Sequence, residues 1–409
     1  MGENLYESWN INSPSVKRGH DMNTYIITDY GVESNATKLQ TAQIQAVLDL
    51  CKAGGGTVVI PAGEFLVSSL WMWSNTTLML KDGAHLLGSE ECDDYAIFPV
   101  PEGVEMCSDM ELIPQQYGTP WEAYRRAMIS SYGENNLTII GEGTDSIIDG
   151  QNCYDPDGEE GYRGPHGIYF TNCDNVTLRN YTCQHSGNFM HQLDKCNYVR
   201  MEQVDCYGGS DGIHLHCCVD TLIKNCVFMT GDDPIAGINV HNLTVRNCKI
   251  NSSCNAFRIG GVDILVEDCH IYGPGYYPHR KTIVNSRYDI LPREAGRHNM
   301  LALVDYFASY VYPDEPSRNI VFRNCRIENL EHLLYYQPET ARLQKGTILK
   351  ELILENVQFT GLNRSALTQV PADQPLYIKM KNVEVSFREN AEGNTLLNEN
   401  DPNTHAVEL

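Results

Sequence analysis

Short runs of alternating aliphatic residues recur along this chain at a nearly fixed interval. Asn175-Val176-Thr177-Leu178, Tyr198-Val199-Arg200-Met201, Asp220-Thr221-Leu222-Ile223, Asn242-Leu243-Thr244-Val245 and Asp263-Ile264-Leu265-Val266 start 23, 22, 22 and 21 residues apart. Asn, Asp and Gly turns separate them, without a helical spacing of apolar residues. Such a period with β-branched runs predicts a β-solenoid, in which each coil lays its strands over those of the last and none is stable alone. Further coils start at Asn75, Asn136, Asn319 and Glu351, so the stack runs through most of the 409 residues. The expected fold is all-β, a single-stranded parallel β-helix.

The first coil of a solenoid needs a cover. Residues 40–52 supply one, because Ala42, Ile44, Val47 and Leu48 recur at helical spacing before Gly54-Gly55-Gly56 ends the helix ahead of Thr57-Val58-Val59-Ile60. The expected organisation is an extension over 1–24, one β-helix domain over 25–388 with this N-terminal capping helix, and a polar, loose tail over 389–409. Two insertions interrupt the period. Residues 88–127 are rich in acids and aromatics, including Tyr95, Tyr117 and Trp121; residues 273–299 carry Arg280, Lys281, Arg287, Arg293 and Arg297 against Asp289 and Glu294.

Composition narrows the partners. A formal net charge of −23 repels a phosphate backbone, which argues against nucleic acid and requires a local basic patch for any polyanion. No apolar run approaches a membrane span, and the first residues lack the basic and apolar regions of an export signal. The chain therefore reads as soluble and cytoplasmic, or as secreted if a signal has been trimmed. The fifteen cysteines are too many and odd in number for a simple disulfide framework. Cys206, Cys226, Cys248, Cys269 and Cys325 recur at one phase of the repeat, as an internal stack of small apolar thiols would, which favours a reducing compartment. No paired C-x-x-C motif suggests structural zinc.

Gly209-Ser210-Asp211-Gly212 and Gly231-Asp232-Asp233 lie about one coil apart, since 232 − 211 = 21. Three carboxylates are thereby stacked at one place, where mutual repulsion raises one pKa and yields an acid and a base side by side. Asp and Gly are also ordinary turn residues; the repeat favours the chemical reading over that one. Strand parity extends the site: with Ile213, Leu215, Phe257 and Ile259 inward, His214, His216 and Arg258 share the outer face. His214 and His216 lack an evident third ligand, so no metal is expected.

The whole pattern resembles glycoside hydrolase family 28, the polygalacturonase family of right-handed parallel β-helices. Tyr30-Gly31-Val32, Gly54-Gly55-Gly56-Thr57-Val58-Val59-Ile60-Pro61-Ala62-Gly63, and Gly141-Glu142-Gly143 with Ile148-Asp149-Gly150-Gln151 resemble its opening coils. Gly209-Ser210-Asp211-Gly212 corresponds to its N-T-D-G, and Gly231-Asp232-Asp233 keeps its G-D-D. The resemblance implies that Asp232 is the general acid, that Asp211 and Asp233 activate water, and that the anomeric configuration inverts. Two departures stand out. Asn255 occupies the place of the histidine in the family's G-H-G, and the uronate-gripping R-I-K has no equivalent, the next coil reading Leu301-Ala302-Leu303-Val304-Asp305-Tyr306.

The resulting expectation is an exo-acting glycosidase for galacturonide or related pectic oligosaccharides, without a cofactor and with no oligomeric state implied. His214, Asn255, Arg258, Tyr306 and Arg280 are the candidate substrate contacts. Arg280 and its basic neighbours would fold over the groove, and Tyr306, Tyr276, Tyr277 and Trp121 would offer stacking platforms. Rival readings on the same scaffold are a calcium-dependent, pectate-lyase-like eliminase and a carbohydrate-binding protein that has lost catalysis.

Overall fold

The structure is a computed structural model that describes residues 23–34, 37–106, 123–154, 163–279, 299–312 and 314–409. Arg280 and the other charges of 280–298, together with Tyr117 and Trp121, lie outside the described residues.

The strands stack in parallel into a right-handed β-helix with three faces, as the period predicts. On the first face Leu137–Gly141, Asp174–Arg179, Asn197–Glu202 and Val219–Lys224 pair in succession. Ile147–Asp149, Thr182–Gln184, Asp205–Gly208 and Val227–Thr230 build the second. His166–Thr171, His191–Asp194 and Ile213–His216 build the third. Ile235–Arg246 and Phe257–Glu267 then each run from the third face round the corner into the first.

The corners explain the turn residues. Asn175, Asp220, Asn242, Asp263 and Asn319 adopt left-handed φ values between 53° and 59°, which Asn and Asp tolerate better than other side-chain-bearing residues. Their side chains bond from coil to coil, Asn242 to Asp220 and Asn319 to Asp263. A second corner repeats the device with Asn225, Asn247, Asp268 and Asn324, all with φ between 52° and 55°. The residue after each of these is Cys226, Cys248, Cys269 or Cys325, whose Sγ turns inward and donates to the carbonyl two residues earlier, at 3.2–3.3 Å. Cys206 departs from the expected phase: Val204 follows the corner residue Gln203, and Cys206 sits two residues further on, beside Cys183. Every described cysteine is a free thiol.

Inside, residues of equal phase stack over many coils. Val176, Val199, Thr221, Leu243, Ile264 and Ile320 form one buried column. Burying each large aliphatic of such a column is worth about 1.5–3 kcal/mol. The expected cap is present as the helix Thr41–Leu48, continued by a short 3-10 turn over Asp49–Cys51, with Ile44, Val47 and Leu48 buried on the first coil. The tail differs from the loose segment expected: Thr404–Glu408 adds a strand to Leu376–Phe387, pairing Leu376 with Thr404 and Met380 with Glu408. Its backbone pairs with an otherwise open sheet edge. Among the described residues no helix is long and apolar enough to cross a membrane.

The corner ladder yields a prediction. Asn247 combines a φ of 52° with a 2.7 Å bond from Nδ2 to Asn225 Oδ1. Asn247→Ala should cost about 1–2 kcal/mol in chemical denaturation because a methyl-bearing residue is forced left-handed. Asn247→Gly loses only the ladder bond and should cost less.

Candidate active site

The three aspartates converge where the third face begins. Gly212 N donates to Asp233 O, and Ile213 pairs with Ile235, so Asp211 and Asp233 occupy equivalent places on adjacent coils. One carboxylate oxygen from each of Asp211, Asp232 and Asp233 lies within 4.8 Å of the others. Adjacent parallel strands lie about 4.7–4.9 Å apart, so the stacking itself sets this spacing. The cluster is more enclosed than a surface triad, with Asp211, Asp232 and Asp233 only 3%, 5% and 1% exposed.

Gly231 explains part of the enclosure. A Cβ there would meet Pro278 O at 2.0 Å, so only glycine lets the segment ending in Pro278 and His279 pass close by. That passage brings His279 Nε2 to 3.2 Å from Asp232 Oδ2. Arg163 approaches the same oxygen at 3.8 Å, with its guanidinium 4.8 Å over the Phe189 ring. Thr230 and Ser252 hydroxyls both donate to Asp232 O, fixing the backbone beneath it.

Asp233 is held differently. Arg258 Nε reaches its Oδ2 at 2.9 Å, while the backbone N and Nδ2 of Asn255 donate to its Oδ1 at 3.1 and 2.9 Å. Arg258 also contacts Asp305 Oδ2 at 3.3 Å, and Gln344 Nε2 donates to the other Asp305 oxygen at 2.8 Å. Asp211 instead pairs with His214 Nε2, and that imidazole stacks on Phe189 with centroids 3.6 Å apart.

These partners separate the charge states. Burial, followed by the negative charges of Asp232 and Asp233, pushes the Asp211 carboxyl well above the usual range. Burial acts the same way on Asp232 but is outweighed by His279, Arg163 and Arg258, which hold its carboxyl well below that range. Asp233 is raised, burial and Asp232 prevailing over Arg258 and Asn255. Asp305 is pushed up to about 6 by burial, against the pull of Arg258. His214 is kept neutral, lowered by burial and then by His216 and the two arginines. The cluster therefore sets a carboxyl pushed toward its protonated form, Asp211, beside one pushed toward its charged form, Asp232.

Residues 134–277 match the family model described as a right handed beta helix region. Among curated proteins, 69 residues are 44% identical to an exo-poly-alpha-D-galacturonosidase of Dickeya chrysanthemi, covering 17% of this chain and 11% of that protein. Mannuronan C5-epimerase AlgE4 of Azotobacter vinelandii is 29% identical over 213 residues, covering 51% of this chain and 35% of that protein. The chain thus spans between about a tenth and a third of these two relatives' lengths. Among solved structures, the Family 28 exopolygalacturonase of Yersinia enterocolitica superposes with a TM-score of 0.63 at 16% identity, covering 95% of this chain and 78% of that one. That likeness shows the shared fold.

Of the candidate substrate contacts, His214, Asn255 and Arg258 all lie in the cluster, and Arg258 serves Asp233 and Asp305 more closely than Asp232. Tyr306 does not. It stacks beside Ile259 on the inner side, fully buried, with its hydroxyl donating to Thr347 O and bonded to the Ser317 hydroxyl, and its ring against Tyr336. No ligand can reach that ring, so the expected stacking role is corrected to a core role. Tyr276 and Tyr277 stay near the surface beside Tyr207 and His185.

Asp305 was legible from parity, because it stacks directly on Arg258 one coil later. Arg163 and His279 come from irregular segments that carry no period, and nothing in the sequence pattern singled them out.

Arg258 bridges two buried carboxylates, which gives a direct test. Arg258→Ala should destabilise the fold by about 3–5 kcal/mol, because both charges lose their partner. Arg258→Lys should recover only part of this, since a point charge replaces the two-pronged guanidinium. Denaturation midpoints at neutral pH measure both.

Proposed function

We propose that this chain is a glycoside hydrolase that cleaves galacturonide or related pectic oligosaccharides from an end, with inversion. One observation carries the reading: three carboxylates from two adjacent coils share one enclosed spot, each held by different partners, with Asp232 pushed toward its charged form and Asp211 and Asp233 toward their protonated forms. Hydrolysing a glycoside needs a proton for the leaving oxygen and a base for water, and such a trio supplies both.

Asp232 is assigned as the proton donor, and Asp211 with Asp233 as the pair that holds the water. Burial favours a proton within the cluster, and groups this close titrate together, so the acid belongs to the trio. Insertion of a glycosidic oxygen beside Asp232 favours protonation of that carboxyl. Arg163 borders Asp232 with positive charge, as a uronate would require, and His279 lies beside it. The Dickeya relative, an exo-poly-alpha-D-galacturonosidase, supports end-wise action. Free thiols support a reducing compartment.

The close spacing bears on stereochemistry. Inverting carboxyl pairs are usually about 6.5–9.5 Å apart and retaining pairs about 5–5.5 Å. Here inversion is supported by the pinning of Asp233 between Arg258 and Asn255, which leaves it poorly placed to swing onto an anomeric carbon.

Incubation with defined oligogalacturonides and neutral pectic oligosaccharides should release reducing ends, and proton NMR of the first product should show the inverted anomer. A retained anomer would reassign Asp211 or Asp233 as a nucleophile. Calcium-dependent, ultraviolet-absorbing unsaturated ends would establish elimination instead, and binding without release would establish a lectin-like role. Asp232→Asn should lower kcat by about 10²–10⁴-fold with KM little changed; equal turnover would sink the assignment.

The pH profile follows from the same directions. The raised carboxyls keep their proton above the usual carboxylate range, so the acid is present on the acidic side and lost as pH rises through the raised pKa. Activity should accordingly fall on the alkaline limb, and Asp211→Asn should alter that limb in initial-rate measurements.

A further inference from the structure

Behind Asp211 runs a line of closely spaced polar groups that the hydrolytic roles leave unused. His214 Nε2 meets Asp211 Oδ2, His214 Nδ1 lies 3.1 Å from His216 Nε2, and His216 Nδ1 lies 3.2 Å from Asp194 Oδ1. Gln192 Nε2 donates to that same Asp194 oxygen and sits 3.0 Å from His216 Nδ1. The register explains the alignment: Gln192 stacks under His214, and Asp194 under His216. Asp194 and His216 are fully buried, and His214 is 5% exposed. Outside them a small apolar cluster of Tyr124, Phe189, Ile238 and Phe307 closes the path to water.

With Gln192 Nε2 donating to Asp194, a line of two neutral imidazoles between two carboxylates has two arrangements with one proton in every link. In the first, ionised Asp194 accepts from His216 Nδ1–H, His216 Nε2 accepts from His214 Nδ1–H, and His214 Nε2 accepts from a protonated Asp211. In the second, every proton has moved one step: Asp194 is protonated, both rings carry the proton on Nε2, and Asp211 is ionised. Three protons hop between the two arrangements; each bond broken is matched by one formed, and the negative charge passes between Asp194 and Asp211. We propose that Asp194, His216 and His214 form a buried proton relay that sets the protonation state of Asp211, with the first arrangement at rest.

The upward push on Asp211 agrees with that resting state. Under the hydrolase reading, on which the catalytic part of this inference rests, the relay lets Asp211 become a base for water by passing its proton to His214 rather than releasing it to bulk solvent. His214, His216 and Asp194 are then positioning residues that act through Asp211.

Nitrogen-15 NMR of histidine-labelled, substrate-free protein reads the relay independently of any activity. The expected spectrum has His214 and His216 both neutral, both with the proton on Nδ1. In Asp194→Asn the far charge is gone, and His214, which does not touch residue 194, should shift toward the Nε2–H form. Asp232, Asp233 and Arg163, the charged groups facing Asp211, are unchanged by that substitution. Oligosaccharide turnover by Asp194→Asn should drop at least tenfold in kcat with KM preserved.

Opposite tautomers on the two rings, a cationic ring, or a His214 signal indifferent to Asp194→Asn would overturn the relay. If Asp194→Asn does not fold, the wild-type tautomers alone decide the polarity of the chain. Should no sugar be hydrolysed while the spectra behave as expected, the hydrolase reading fails and the relay stands; active enzyme with the wrong tautomers gives the reverse.

Discussion

The stacking of one coil on the next, in register and in parallel, is the constraint on which everything else depends. It makes residues of equal phase into columns, so a residue type that suits one coil tends to suit its neighbours. Inside, this gives aliphatic columns and rows of thiols; at the corners, ladders of Asn and Asp. The same rule on the outer side of the third face brings carboxylates to the spacing of the strands themselves. An arrangement that would be costly to assemble from loops is here a by-product of the fold.

Crowded negative charge inside a mostly enclosed pocket still has to be offset. The offset is uneven, and that unevenness makes the chemistry. Asp233 and Asp305 share Arg258; Asp232 faces Arg163 and His279; Asp211 has a neutral histidine as its nearest partner. His279, Arg163 and Arg258 together hold the Asp232 carboxyl down, whereas at Asp233, Asp305 and Asp211 burial outweighs the nearby arginines and raises the carboxyl. An evenly neutralised cluster would hold acids of equal strength and provide no direction for a proton.

Much of this was legible in the sequence because it follows the period. The coil length, the capping helix, the aspartate stack and the outward placing of His214 and Arg258 all derive from counting and parity. Counting one coil further would also have placed Asp305 outside and Tyr306 inside, since Ile259 is inward and Tyr306 stacks on it. Cys206 falls outside the corner column for a similar reason: three residues past the corner residue Gln203, it stacks on Cys183 of the neighbouring coil instead. Arg163 and His279 were beyond such reasoning, because irregular segments bring them in from outside the repeat and no periodicity predicts where they land.

The replacement of the expected histidine by Asn255 illustrates how the stacked frame redistributes a site. Asn255 binds Asp233 with both its backbone and its side chain, and so orients a carboxylate without being able to exchange a proton. The imidazoles lie two coils earlier in the stack instead, on Ile213–His216, where parity puts two of them on one side and the strand below supplies Asp194 at the right height. A strand places alternate residues on one face, so the spacing of His214 and His216 makes a continuous line of ring nitrogens geometrically natural. Under the proposed relay, proton handling lies with a line of residues behind Asp211 rather than with a single residue beside Asp233, while the carboxylates themselves keep the positions that the coils dictate.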